Sequence, residues 1–130
     1  MKYSDNTLHK KKTVWVIDDD ISILKVIQII LENENYNVFT IQDTNMLKKM
    51  IKENMPDLIL LDIWMSGKDG HVITKEFKCD KKTKKIPIVM ISALSNVQEL
   101  AEKSGADGFL KKPFDIKDLL GVVWKYTKNT

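Results

Sequence analysis

Arginine is absent from this sequence, and all 21 basic residues are lysines. Arginine is the residue that most often reads guanine and holds phosphate through two parallel hydrogen bonds. With 18 acidic residues the net charge is only +3, which is too balanced to predict nucleic-acid binding. An AT-rich genome would also raise lysine, so the cause of the bias stays open, but the composition argues against a DNA-reading protein.

Cysteine, glycine, proline and long apolar runs are also scarce. The single cysteine, Cys79, excludes an internal disulfide and suits a reducing compartment. With 5 glycines, 3 prolines and 43% apolar residues, the chain is neither collagen-like nor disordered. Apolar stretches such as residues 86–94 are too short to span a membrane, and residues 1–12 contain no signal-peptide core. We therefore expect a cytoplasmic protein without membrane contact.

The 130 residues suit one domain. We expect a flexible tail over residues 1–12 and a domain over residues 13–128. Short apolar runs predict strands at residues 14–17, 38–41, 58–61, 88–91 and 109–110. Between and after them, apolar residues at helical spacing predict five helices, of which the third is expected from about Gly70 to Cys79 and the last is expected to be capped by Asp115. Residues 66–70 read as a loop. Strands alternating with helices predict an α/β fold with a five-stranded parallel sheet and helices on both faces.

Polar residues stand where the predicted strands end. They are Asp18, Asp19 and Asp20 after strand 1, Asp62 after strand 3, Ser92 after strand 4, and Lys111 and Lys112 after strand 5. Ligands of such sheets bind beyond the carboxyl ends of the strands. Converged carboxylates repel unless a cation joins them, and oxygen ligands suit Mg²⁺. A lysine suits a phosphate, and a carboxylate beside a metal can accept a phosphoryl group. The aspartates could instead simply cap helix 1, and Lys112 could be solvated.

Several short motifs, in order along the chain, resemble those of response-regulator receiver domains. They are Val16-Ile17-Asp18-Asp19-Asp20, Leu60-Leu61-Asp62-Ile63-Trp64-Met65, Asp69-Gly70, Ile91-Ser92-Ala93, Gly105-Ala106-Asp107-Gly108-Phe109 and Lys112-Pro113-Phe114. The resemblance covers nearly the whole chain and is closest to stand-alone, chemotaxis-type regulators. It implies a flavodoxin-like sheet with strand order 2-1-3-4-5. The chain could equally be a receiver cut from a longer protein.

The resemblance assigns the phosphorylation chemistry to five residues. Asp62 is implied as the phosphoacceptor. Asp18 and Asp19 are implied to bind Mg²⁺ together with Asp62 and the backbone carbonyl of Trp64. Lys112 is implied to pair with the phosphoryl group, since it directly precedes the proline of the motif.

The resemblance also assigns a switch. Ser92 is implied to move toward the new phosphate, and Phe109 to respond as the aromatic switch residue. We expect Phe109 to be partly buried in the core as well. The Lys112–Pro113 peptide is implied to be cis.

The implied function is signal transduction in a two-component system. The chain would accept a phosphoryl group from a sensor histidine kinase or a histidine phosphotransfer domain, and would catalyse only its own phosphorylation and dephosphorylation. The helix 4–strand 5–helix 5 surface would then bind a downstream protein, with no direct nucleic-acid contact. The chain would be a monomer or a phosphorylation-dependent dimer. The alternatives are an unphosphorylated pseudo-receiver that serves as a binding scaffold, and a small phosphatase with an aspartyl nucleophile.

A long-lived phosphorylated state is expected. In receiver domains, the residues two positions after the acceptor and the switch serine tune loss of the phosphoryl group. Here they are Trp64 and Leu94, and neither side chain can orient a hydrolytic water. Intact mass spectrometry after removal of the phosphodonor would measure the lifetime. A half-life of only seconds at neutral pH would contradict this expectation.

Overall fold

The computed structural model of the protein describes residues 11–65 and 68–128. Its main strands are β1 (Thr13–Ile17), β2 (Asn37–Ile41), β3 (Leu58–Asp62), β4 (Ile88–Ser92) and β5 (Gly108–Lys111). Its helices are α1 (Ile21–Asn33), α2 (Leu47–Glu53), α3 (Gly70–Cys79), α4 (Val97–Ser104) and α5 (Ile116–Thr127), with a 3₁₀ turn over Thr44–Met46 before α2. None of these helices has the length and apolar character needed to cross a membrane.

The region between β3 and α3 differs from the predicted loop. Trp64–Met65 and Lys68–Asp69 form a short antiparallel ribbon, whereas α3 begins at Gly70 as expected. Ser66 and Gly67, the remaining residues of the predicted loop, lie outside the described residues. The loop prediction failed because a two-residue strand is too short to show an alternating pattern.

The five main strands form one parallel sheet in the order β2-β1-β3-β4-β5, which confirms the expected topology. The three central strands are almost fully buried, because helices cover both faces of the sheet. The edge strand β2 leaves most of its residues exposed or half-buried. This difference explains why the central strands show continuous apolar runs in the sequence.

Alternate residues of each central strand pack into different cores. Val14, Val16, Leu58 and Leu60 pack with the buried sides of α1 and α5. Their neighbours Trp15, Ile17, Ile59 and Leu61 pack on the other face with residues of α2 and α3. A third cluster joins α4 to Ile63 and Met90. Each buried large side chain contributes about 1.5–3 kcal/mol, so this layering fixes the sheet between its helices.

Aspartates begin three of the five helices. Asp20, Asp69 and Asp115 each accept a hydrogen bond from a backbone N–H in the first turn of the helix that follows. Helix α4 differs, since Asn96 provides no side-chain cap. At its other end, Gly105 adopts φ 85°, the left-handed conformation that favours glycine. The start of α4 is therefore held less firmly than the starts of α1, α3 and α5.

A polar clamp ties helices to the sheet at the edge where β4 and β5 begin. Lys78 of α3 donates to the Asp107 carboxylate at 2.6 Å and to the carbonyl of Ile86 at 2.9 Å. The same Asp107 oxygen accepts from the backbone N–H of Ile88 at 2.8 Å. The Tyr126 hydroxyl of α5 donates to the carbonyl of Asp107 at 2.7 Å. The turn that contains Asp107 thereby links α3 to α5 through hydrogen bonds.

Replacing Asp115 by Ala should lower the free energy of unfolding by about 1 kcal/mol, because an N-cap contributes roughly that amount. The cap consists of two reciprocal hydrogen bonds. The Asp115 carboxylate accepts from the Asp118 backbone N–H, and the Asp118 carboxylate accepts from the Asp115 backbone N–H. Urea denaturation measures the change. Asp115→Ser keeps a capping oxygen and should stay near the wild-type value. Equal destabilisation by both variants would contradict the capping role.

Candidate functional site

The register of the sheet brings the predicted site residues to one edge. Ile17 of β1 lies beside Leu61 of β3, so the next residues, Asp18 and Asp62, emerge side by side. Asp62 is in turn paired with Ile91, the residue before Ser92. Ser92 lies opposite Lys111 of β5. The carboxyl ends of β1, β3, β4 and β5 thus bring carboxylate, hydroxyl and ammonium groups together.

Lys112 joins the two inner carboxylates. Its Nζ lies 3.3 Å from Asp18 Oδ2 and 3.8 Å from Asp62 Oδ1. The side chains of Lys112, Asp18 and Asp62 are 20%, 5% and 12% exposed. Shielded from water, this pairing is worth more than one on the surface. The alternative reading of Lys112 as a solvated lysine is wrong.

Asp18, Asp19 and Asp62 form a cluster of carboxylates. One oxygen from each residue lies within 4.8 Å of those of the other two. Asp18 and Asp62 are largely buried, and Asp19 is exposed. One lysine cannot neutralise three carboxylates, and hard oxygen donors with an open, water-exposed side suit Mg²⁺. The donor set therefore fits the expected ion.

Asp20 has a different role from its two neighbours. Its Oδ1 accepts from the backbone N–H of Ser22 at 2.9 Å and of Ile23 at 3.4 Å. Its own N–H donates to Asp18 Oδ1 at 3.0 Å. The proposal that the whole triplet caps helix 1 is therefore right for Asp20 alone. The hydrogen bond from the Asp20 backbone N–H also holds the Asp18 carboxylate in place.

Ser92 is buried at the end of β4, with 3% exposure. Its hydroxyl oxygen accepts from the backbone N–H of Leu94 at 3.0 Å. Its carbonyl accepts from the N–H of Lys112 at 2.8 Å. The Lys112–Pro113 peptide is cis, as expected. Ser92 and Lys112 are therefore coupled through the backbone as well as through the shared edge.

Phe109 lies on β5, beside Met90 of β4. It is 39% exposed and belongs to none of the three core clusters of the described residues, so the ring is only partly buried. The ring lines a shallow groove with Ala101, Val122 and Tyr126, between α4 and α5. The burial pattern of β5 explains this position, since Leu110 takes the inward side and Phe109 and Lys111 point outward.

Two roles were not predicted from the sequence, those of Gly70 and of the His71–Ser104 contact. A Cβ placed on Gly70 would lie 2.6 Å from the carbonyl oxygen of Asp62 and 2.9 Å from Cα of Ile63. The Gly70 N–H also donates to the carbonyl of Ile63 at 2.7 Å. His71 then bonds through Nδ1 to the Ser104 hydroxyl of α4. The Asp69-Gly70 motif was the available signal, but its contact with Asp62 depends on the tertiary fold.

Gly70→Ala should displace the backbone of Asp62 and lower the free energy of unfolding by about 1–3 kcal/mol, the usual cost of overpacking. Urea denaturation measures the stability. Gly121→Ala is the matched control, because a Cβ there would meet nothing within 4 Å. That variant should be neutral or slightly stabilising, since alanine favours a helix more than glycine does. Similar effects at both positions would contradict the tight contact at Gly70.

Comparisons with known proteins agree with this geometry. The family model described as response regulator receiver domain matches residues 14–123. The chain is 33% identical over 119 residues to the DNA-binding dual master transcriptional regulator RpaA of Synechocystis, which covers 90% of this chain and 49% of that protein. The chain spans about half the length of the curated relatives it matches.

Two solved structures extend the comparison. The receiver domain of NtrX from Brucella abortus superposes with a TM-score of 0.81 at 30% identity, covering 90% of this chain and 99% of that one. Chemotaxis protein CheY4 of Vibrio cholerae superposes with a TM-score of 0.81 at 25% identity, covering 89% of this chain and 98% of that one. Family match and fold agree over most of the chain, and this protein belongs to the response regulator receiver domain family of two-component systems.

Proposed function

We propose that Asp62 accepts a phosphoryl group with the help of Mg²⁺ held by Asp18, Asp19 and Asp62. The observation that carries this proposal is the position of the Lys112 ammonium between Asp18 and Asp62. The backbone carbonyl of Trp64, two residues after the acceptor, is proposed as a further ligand of the ion. We also propose residues 13–128 as the extent of the receiver domain.

Each residue of the site contributes a distinct part of the chemistry. When bound, Mg²⁺ supplies positive charge that balances the carboxylates and the transferring phosphoryl oxygens. A carboxylate oxygen of Asp62 forms the new bond to phosphorus, while the bond to the donor histidine breaks. Asp18 holds Lys112 at the acceptor, and Lys112 neutralises charge on the transferring group. Positioning and charge neutralisation of this kind account for most of phosphoryl-transfer catalysis.

The proposed switch follows from the contacts of Ser92. A phosphoryl group on Asp62 adds charge that attracts the Ser92 hydroxyl and Lys112. Movement of Ser92 would break its bond with Leu94 and shift the chain that leads into α4. The space released would admit Phe109, which now lies on the outer side of β5. The surface of α4, β5 and α5 would then change for a downstream protein.

The phosphodonor is proposed to be a sensor histidine kinase or a histidine phosphotransfer domain, acting in the cytoplasm. The chain would turn over no other substrate, so its activity is limited to its own phosphorylation and dephosphorylation. RpaA is named as a DNA-binding regulator, but this chain spans only about half the length of that protein. We propose no nucleic-acid contact for this chain, because it contains no arginine. The complete set of site residues disfavours a pseudo-receiver, and nothing supports a phosphatase.

A small acyl-phosphate donor such as acetyl phosphate should phosphorylate the wild type only when Mg²⁺ is present. Intact mass spectrometry would show the gain of one phosphoryl group. Asp62→Ala should show no gain, because the acceptor oxygen is missing. Lys112→Ala should be modified at least about tenfold more slowly, given the usual cost of removing a group that stabilises transferring charge. Hydrogen exchange on the phosphorylated sample should change in α4, β5 and α5.

Lys111→Ala is the matched control for Lys112, since Lys111 is exposed on the opposite side of β5. It should behave like the wild type. Asp43→Asn, which alters a cap of the 3₁₀ turn away from the cluster, controls for the loss of one carboxylate. A mass gain in Asp62→Ala equal to that of the wild type would contradict Asp62 as the acceptor. No gain in folded wild type, with acetyl phosphate or a kinase, would favour the scaffold alternative.

A further inference from the structure

The side chain of His71, in the first turn of α3, makes a hydrogen bond to a different helix. Its Nδ1 lies at hydrogen-bond distance from the hydroxyl of Ser104, in the last turn of α4. Ser104 is buried, with 3% exposure, and His71 is half-buried. Neither residue belongs to the set that performs the phosphorylation chemistry, so this bond between two helices requires a separate explanation.

The bonds of Ser104 fix the direction of this contact. A serine hydroxyl has a single hydrogen, and that of Ser104 donates to the carbonyl of Leu100 at 2.7 Å. Towards His71 the hydroxyl can therefore only accept, and Nδ1 of His71 is the donor. Because the hydroxyl is held by its own helix, its position is set by α4, and the imidazole joins α3 to that position.

Gly70, the residue before His71, lies tightly against the acceptor strand. Its N–H donates to the carbonyl of Ile63 at 2.7 Å. A Cβ on Gly70 would lie only 2.6 Å from the carbonyl oxygen of Asp62. Because this contact has no spare room, a displacement of the first turn of α3 is passed on to the backbone of Asp62. The bond that holds His71 therefore also holds the acceptor.

The backbone of His71 is tied to a second part of the site. Its N–H donates to the Asp69 carboxylate at 2.9 Å, and Asp69 is paired with Trp64 in the short antiparallel ribbon. The backbone carbonyl of Trp64 is the further Mg²⁺ ligand in the proposed function. His71 thus stands between α4 on one side and, on the other, both the acceptor backbone and the ribbon that carries an ion ligand.

Apolar packing joins α4 to the same segment but does not fix its position. Ile63, the residue after the acceptor, is buried and packs with Val97 and Ala101 of α4. Apolar contact is non-directional, whereas a hydrogen bond requires a defined distance and angle. The bond between His71 and Ser104 therefore supplies the fixed alignment of α3 on α4 that the apolar contact lacks.

We propose that His71 is a positioning residue of the phosphorylation site, which fixes the acceptor backbone and the ribbon of Trp64 to the last turn of α4. This role rests on the proposed phosphorylation of Asp62. Phosphoryl transfer depends on accurate placement of the acceptor and the metal ion, so loosening the first turn of α3 slows it. Coupling between binding events is reciprocal, so a protein that binds and shifts α4 alters the Mg²⁺ affinity of the site through the same bond.

Two measurements on the whole chain test this role: the rate of modification by acetyl phosphate, and calorimetric titration of Mg²⁺ without a phosphodonor. His71→Leu and Ser104→Ala should each lower the rate and the Mg²⁺ affinity by about two- to tenfold, the range that one side-chain hydrogen bond supplies. The double variant should resemble the single variants, because both changes remove the same bond. His71→Asn should stay near the wild type, because its amide nitrogen is attached to Cγ as Nδ1 is and can donate to Ser104.

Tyr36→Phe is the matched control, because it removes a bond of the same kind far from the site. The Tyr36 hydroxyl bonds to that of Thr127 in the last turn of α5, and Thr127 donates to the carbonyl of Val123. This variant should lose a similar free energy of unfolding in urea, but keep the wild-type rate and Mg²⁺ affinity.

The outcomes separate this role from the proposed function. A folded wild type that is never modified contradicts the phosphorylation of Asp62, and the Mg²⁺ titration then still tests His71. If the wild type is modified at Asp62 and His71→Leu equals it in rate and Mg²⁺ affinity, only the role of His71 is overturned. Equal losses in Tyr36→Phe, or a His71→Asn variant as impaired as His71→Leu, would overturn it too.

Discussion

The placement of one ammonium group between two carboxylates is the constraint on which the rest of the site depends. Asp18 and Asp62 must lie together, because their strands are paired in parallel register and both end there. Without Lys112 the two buried carboxylates would repel each other. The lysine reaches them from the end of β5, the edge strand two positions from β3. The strand order, with β3 next to both β1 and β4, is therefore also a requirement of the chemistry.

Local patterning made the fold and the acidic edge predictable. Continuous apolar runs marked β1, β3 and β4, because strands buried on both faces have no polar side to interrupt them. The boundaries of α3 and the cap at Asp115 also followed from short-range signals. Asp18 and Asp62 were found from their positions at strand ends, and Lys112 was chosen over Lys111 because it precedes the proline of the family motif. The structure brings these three together.

What escaped prediction depends on contacts between residues that are distant in sequence. The outward position of Phe109 follows from which side of β5 faces the core, and a four-residue strand with a single apolar pair does not reveal that side. Gly70 was expected at the start of α3, but its close contact with the Asp62 backbone exists only after α3 packs against the acceptor strand. The division of labour within Asp18, Asp19 and Asp20 required the hydrogen bonds of the first turn of α1.

The clamp of Lys78, Asp107 and Tyr126 determines how α4 can move. The C-terminal end of α4 leads through Gly105 directly into Asp107, and Ser104 is also bonded to His71. Its N-terminal end has no side-chain cap. A helix fastened at its last turn and without a side-chain cap at its first would swing rather than slide. Its last turn would act as a fulcrum, so the proposed displacement near Ser92 would become a rotation with its greatest amplitude at the first turn of α4.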